Sequence, residues 1–402
     1  MKKILLFIIF ILVLGFTGWY IWRNILWFRA GDPGGAMEKA RTEAIDRVLD
    51  ARRTRVEGGE DADPFGEDGI ARVLLIGLDK RVGQTSGHCD VIQMITIDTK
   101  EEKVTITAVP RGTYSPLPPG TGVTSSDYYV SNACGLGGIE YGINQIEKIL
   151  GMKADYLVIV GFSETLGVLR SLRLPTTETL QWLRQRHAYQ IGEPQRAHNH
   201  STFLKQMLIG YVPDEPSKID KALHYVVYKI VKTDLSFDEA EALVSALSNM
   251  KISARPDDII LAMRPAHTVS DIPYIPDELG EYLDNTLGRI KNNLGQNDYS
   301  GTTTDEIQET LLTMIDEKKN DKEFVVWAFE NNLWLQVEDE QTRLQTQYDF
   351  LRLYLEMEIE KDEATRRLLI TDYTLEMEHS GQESWAVKGR ELLAEEIEKQ
   401  QK

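Results

Sequence analysis

From Arg72 onward short apolar runs alternate with helical periodicity, and that alternation confines the chain to an α/β architecture. RVLLIGL (72 to 78) has the length and aliphatic content of a strand buried on both faces, and it stops at Asp79. Two further β-type runs, Val91 to Asp98 and Lys103 to Val109, are joined by the polar TKEE connection, a hairpin pattern. Pro110 ends the second run because it has no amide hydrogen for a ladder, and Arg111 follows. Residues 112 to 137, rich in Gly, Pro and Ser, read as a long loop. Ile139, Ile143, Ile146 and Leu150 then recur at helical spacing, with Gly151 placed to end the helix. DYLVIVG (155 to 161) is another buried strand, and Ser163 is placed to cap the helix after it.

Further helices are expected over about 177 to 187, 196 to 209 and 218 to 232, with another opening at the Ser236 to Glu239 capping box. DIILAM (258 to 263) reads as a late strand. The expected fold is a central mixed sheet flanked by helices over residues 71–268. Beyond it, residues 269–402 read as an acidic α-helical extension, with a second capping box at Thr303 and Glu306 and an apolar stripe at Leu344, Tyr348, Leu351 and Leu355. The net charge of -18 sits almost wholly there, since residues 271 to 402 carry 31 acidic and 14 basic side chains. An acidic chain without a basic face is unsuited to duplex nucleic acid.

Residues 4 to 22 run uncharged, long enough at 1.5 Å per residue to cross a hydrocarbon core, and Trp19, Tyr20, Trp22 and Trp27 crowd one end as an interfacial belt would. A cleaved signal peptide is the rival; the length of the run and the lack of an A-x-A site favour an uncleaved anchor. Residues 1–30 are thus read as a cytoplasmic tip and transmembrane helix, and residues 31–70 as a juxtamembrane stalk with a short helix near Glu38 to Arg53. Cys89 and Cys134 either form one bridge, if the compartment is oxidising, or are two small buried thiols.

Leu180 to Leu204 gathers Arg184, Arg186, Arg196, His187, His198 and His200. Cations concentrated in this way suit an anionic ligand, and the arginine fork matches phosphate or carboxylate oxygens. Asp79, Asp90 and Arg111 fall at strand ends, where open α/β sheets bind ligands. Two carboxylates able to hold a hard cation, with arginines to neutralise phosphate charge, are the parts of a phosphoryl-transfer site. Cys89 as a nucleophile is disfavoured, because the adjacent Asp90 carboxylate raises a thiol's pKa.

The ordered set GLDKR (77 to 81), HCD (88 to 90), PRGTY (110 to 114), SNACGLGGIEYGINQIEKILG (131 to 151), DYLVIVGF (155 to 162), RQRH (184 to 187) and Arg196 followed by Phe203-Leu204 resembles the LytR-CpsA-Psr family over roughly residues 70 to 265. KTDLS (232 to 236) is similar to that family's later region. The resemblance implies a single-pass membrane protein with a cytoplasmic N-terminus and an extracytoplasmic catalytic domain. It implies transfer of a phosphate-linked glycopolymer from an undecaprenyl pyrophosphate carrier to peptidoglycan. On that pattern Asp79 and Asp90 are catalytic: they hold Mg2+, and one of them helps activate the attacking hydroxyl. Arg111, Arg184 and Arg186 act in catalysis, and Arg81, His88, His187, Arg196 and His200 bind substrate.

Several positions depart from the family pattern. His88 and Cys89 precede Asp90 where Arg-Ser is usual, Gly112 replaces an acid, Glu193 stands where an aspartate is common, and Asn199, His200 and Ser201 replace Arg-Gln-Gln. The same site using water would be a lipid pyrophosphate hydrolase. A site that binds without turnover would be an envelope scaffold, with the acidic extension recruiting a protein partner.

Overall fold

In a computed structural model, residues 36–56, 63–79, 87–184, 192–215, 217–279, 281–282, 304–330, 332–337, 339–357 and 362–399 are described. The apolar segment 4 to 22 and Thr303 of the second capping box lie outside them. Among the described residues no helix is long and apolar enough to cross a membrane.

Six strands form one mixed sheet in the order β5-β4-β1-β2-β3-β6. They are β1 (Ile70–Asp79), β2 (His88–Asp98), β3 (Lys103–Ala108), β4 (Tyr156–Val160), β5 (Lys232–Thr233) and β6 (Ile259–Met263). β1 is parallel to β4 and β3 to β6, whereas β1–β2, β2–β3 and β4–β5 are antiparallel. The C-terminal ends of β1, β3, β4 and β6 and the N-terminal end of β2 therefore share one edge of the sheet.

Alternation along β1 divides the core in two. Leu74, Ile76 and Leu78 enter one cluster, while Ala71 and Val73 enter the other across the sheet. The first cluster is closed by α1 (Ala36–Val56), through Ile45 and Leu49, and by α3 (Ile139–Leu150), through Ile139, Ile143, Ile146 and Leu150. α3 ends at Gly151, which supplies the left-handed φ of 71°. On the opposite face lie α6 (Gly192–Tyr211) and α8 (Phe237–Asn249), the latter opened by the Ser236–Glu239 capping box.

Four expectations are adjusted. The stretch 112 to 137 is not all loop: it holds a 3-10 turn at Ser125–Tyr128 and α2 (Val130–Leu136). α2 is seven residues long, with Gly135 inside it and Gly137 at its C-terminus, so tertiary burial of Val130, Ala133 and Cys134 sustains it rather than propensity. The helix within the stretch read as a stalk is packed on the sheet, where Arg52 pairs with Asp234 at 2.6 Å. α7 (Lys218–Ile230) is shorter than expected and α6 begins four residues early, while α5 is described over Thr176–Arg184. Residues just beyond 268 still pack on the α/β part: Tyr274 meets Trp182 of α5 and Phe203 of α6 edge-on, at 5.4 and 5.0 Å.

The extension comprises α9 (Thr304–Lys318), α10 (Lys322–Glu330), α11 (Glu340–Met357), α12 (Glu363–His379) and α13 (Glu383–Lys399) around two apolar clusters. It docks on α4 (Phe162–Ser171) and α7. Arg170 donates to the Leu335 carbonyl at 2.5 Å, Gln336 to Ser163 at 2.8 Å, and Tyr225 to Asp372 at 2.6 Å.

Candidate active site

Asp90 owes its position to a β-bulge. In the β1–β2 register Gly77 faces Val91 but Leu78 faces Cys89, so β2 has one extra residue there, and it is Asp90. The consequence is a switch of parity. Ile92 and Met94 point into the first core cluster, and so does Cys89, which a regular strand would have turned to the other face. Gly77 is required beside the bulge, since a Cβ there would lie 2.7 Å from Val91 Cβ.

Across from the bulge, Arg111 follows β3 and donates from Nη1 to Asp90 Oδ1 at 2.5 Å, with both side chains about three-quarters buried. The backbone of Arg111 is fixed in turn, because the Ser131 amide donates to its carbonyl at 3.1 Å. The Cys89–Cys134 disulfide ties α2 to β2 directly beside Asp90, so the bridged reading of the two cysteines is the one the structure adopts. Asp79 closes β1 opposite His88 at the same edge.

Three buried polar atoms here lack a partner among the described residues: His88 Nδ1, Thr113 Oγ1 and Ser131 Oγ. Each costs roughly 1–3 kcal/mol if left dry, so they are natural contacts for a polar ligand. Thr113 and Ser131 were missed in the sequence because both fall in the stretch read as loop. Glu164, buried at the start of α4, is another carboxylate near this edge; Gly161 makes room for it, since a Cβ there would sit 2.4 Å from Glu164 Oε2.

The described members of the arginine and histidine run are carried by α5 and α6. Arg184, the last described residue of α5, is exposed, whereas Arg81, Arg186 and His187 lie outside the described residues. α6 crosses the sheet at Gln93, three residues along β2 from Asp90, where Gln93 donates to the Ala197 carbonyl and accepts from Ser201 Oγ. Arg196 is buried and paired with Glu193 at 2.7 Å. His198 meets Asp271 at 2.7 Å, and Asn199 accepts from Gln195 at 2.9 Å. His200 Nε2 lies 2.7 Å from the Leu183 carbonyl, and burial, helped by the Arg196 charge, pushes its pKa down to about 4. The His200 ring is therefore neutral near pH 7 and adds no positive charge. Asn199 and Ser201 likewise spend their polar atoms on internal packing.

The LytR_cpsA_psr family model matches residues 38–166, from α1 to α4, and so takes in Asp79, His88, Asp90 and Arg111. The chain carries a LytR-CpsA-Psr family segment. The polyisoprenyl-teichoic acid–peptidoglycan teichoic acid transferase TagU of Bacillus cereus is 25% identical over 135 residues, covering 32% of this chain and 43% of that protein. The TagU of Halalkalibacterium halodurans is 27% identical over 110 residues, covering 27% and 33%. The chain thus spans less than half the length of these LytR-CpsA-Psr relatives. Among solved structures, Bacillus subtilis TagV aligns at 17% identity and a TM-score of 0.41, over 55% of this chain and 98% of that one. The family match stops at residue 166, short of Arg184 to His200.

Proposed function

We propose that this chain transfers a phosphate-linked glycopolymer from a polyprenyl pyrophosphate carrier to a peptidoglycan hydroxyl. The observation that carries the reading is the Arg111–Asp90 pair at the shared strand edge, within the segment matched by the family, which also holds the unpartnered His88, Thr113 and Ser131 atoms. The names of the TagU relatives supply the substrate class. Residues 4 to 22 would anchor the chain, with the α/β part outside the cytoplasm, a placement that the disulfide favours.

The acceptor hydroxyl attacks the phosphorus that carries the sugar. A new P–O bond forms, the bridging P–O bond breaks, and polyprenyl phosphate departs. Asp90, paired with Arg111, would take the acceptor's proton. Arg111 neutralises charge growing on the phosphoryl oxygens, and Arg184 and Arg186 would approach from the facing wall. Among the described residues no three ligating side chains gather into a metal site. Magnesium nonetheless takes only one or two carboxylates beside substrate phosphates, so the donor set of Asp79 and Asp90 suits it. Bound there, it would neutralise pyrophosphate charge.

The test is transfer from a defined lipid pyrophosphate donor to peptidoglycan by the full chain, with Arg111→Ala and Asp90→Ala as variants that stay folded. Activity retained in both variants removes the proposal. Released polymer with none attached to the wall would instead show a hydrolase.

A further inference from the structure

Residues 112 to 137 carry one ionisable side chain of clear charge, Asp127, in a chain that is 27% charged. Even that charge is spent internally, since the Val123 and Thr124 amides donate to its carboxylate at 2.8 and 2.7 Å and hold its pKa below the usual carboxylate value. The stretch nonetheless displays Tyr114 at 70% exposure, Val123 at 91%, Tyr129 at 41% and Leu136 at 46%. These are four of the eleven large apolar or aromatic side chains exposed among the described residues. Scattered single exposures are ordinary; this concentration is not. It is also built. Tyr114 and Tyr129 face each other across an antiparallel bridge, so their side chains share a face, and the Tyr128 ring stacks on Tyr114 at 6.3 Å.

The direction of α1 tells what lies opposite. Asp46 pairs with Lys232, which sits across from Ile159, whereas six residues later Arg52 bonds the Ala154 and Asp155 carbonyls. α1 therefore runs against β4, and its first residue, Ala36, lies about 15 Å beyond Asp46 toward the edge bearing Arg111 and Asp90. The apolar segment 4 to 22 is joined to that end by residues 23 to 35, which reach at most roughly 45 Å.

We infer that the loop bearing the Tyr114–Tyr129 face and the exposed Val123 is a membrane-contact surface that seats the catalytic edge on the lipid interface. Tyrosine suits such a boundary because its ring is apolar and its hydroxyl polar, and the loop's one charge, Asp127, is already hydrogen-bonded by its own backbone amides. The inference rests on the reading of residues 4 to 22 as an anchor.

The experiment uses the full chain in lipid nanodiscs with a nitroxide at Val123→Cys; the two native cysteines are joined, so the label has one target. Leu368→Cys, 52% exposed on α12, is the reference. At Val123 the ratio of relaxation by oxygen to relaxation by a water-soluble nickel chelate should exceed that at Leu368 severalfold. Equal ratios overturn the inference. So does shielding of Val123 that arises only when soluble muropeptides are added, which would mark a glycan subsite. Transfer is assayed separately, so a lipid-buried label in a chain without transferase activity would remove the proposed function and leave the membrane contact standing.

Discussion

Arg111 Nη1 donates to Asp90 Oδ1 at 2.5 Å, which joins the residue after β3 to the bulge of β2. Both side chains are about three-quarters buried, so removing Arg111 strips a mostly buried carboxylate of its Arg111 hydrogen bond and should cost roughly 1–3 kcal/mol of stability. The cost in rate is expected to be larger still. Arg111→Ala should slow transfer by roughly 100- to 1000-fold, the usual loss for a group facing charge that grows in the transition state. Arg111→Lys keeps the charge but loses the fork, and should fall between. Release of polyprenyl phosphate with time, beside a thermal melt of each variant, checks both halves.

The Cys89–Cys134 bridge closes a loop with a sequence separation of 45. Chain-entropy arguments give about 4 kcal/mol for a loop of that size. Cys134→Ser should therefore lower the melting temperature by several degrees. It should also cut transfer, because α2 holds the Arg111 carbonyl through the Ser131 amide. Unchanged melting after full reduction, with free thiols counted by mass, would refute the bridge.

The strand pattern was open to sequence reading because β1 and β4 are buried on both faces and so are written as unbroken aliphatic runs. The caps at Gly151 and Ser236 were equally plain, being local chemistry. The bulge at Asp90 was not, since it is a property of two strands in register, and neither strand alone announces it. α2 escaped for a related reason: what sustains it is burial against β2, a long-range contact. Within the arginine and histidine run, charge was legible but direction was not. Arg196 and His200 look alike in sequence as cations, yet one is paired with Glu193 and the other is held neutral.

Arg170 reaches from α4 to the Leu335 carbonyl, and Gly167 lets Leu335 approach so closely that a Cβ would lie 2.7 Å from Leu335 Cδ1. Arg170→Ala should free the extension before the sheet. Limited proteolysis is expected to cut between the two parts severalfold faster, with the α/β fragment persisting. Cleavage at the wild-type rate would mean that the Tyr225–Asp372 contact suffices for docking.

Two groups, the buried His200 and the half-buried Glu376, should give the stability a pH dependence of opposing sign. His200 falls from 6.5 to about 4 on folding, so between these values the unfolded chain binds more protons and stability rises with pH. Its contribution is complete above 6.5 and lost as the pH drops toward 4. Glu376 on α12 is pushed by burial from 4.5 up to about 7, so the folded chain holds the extra proton and stability falls as pH rises through that window. From 4.5 to 6.5 the two slopes oppose each other and partly cancel. Single variants should separate them. Subtracting the His200→Gln melting curve from wild type should leave a difference that climbs with pH, and subtracting Glu376→Gln one that descends. Melting temperatures taken at half-unit steps from pH 4 to 8 decide the matter. A flat difference for His200→Gln would mean that its ring is solvated and able to carry charge, which would return it to the substrate-binding wall.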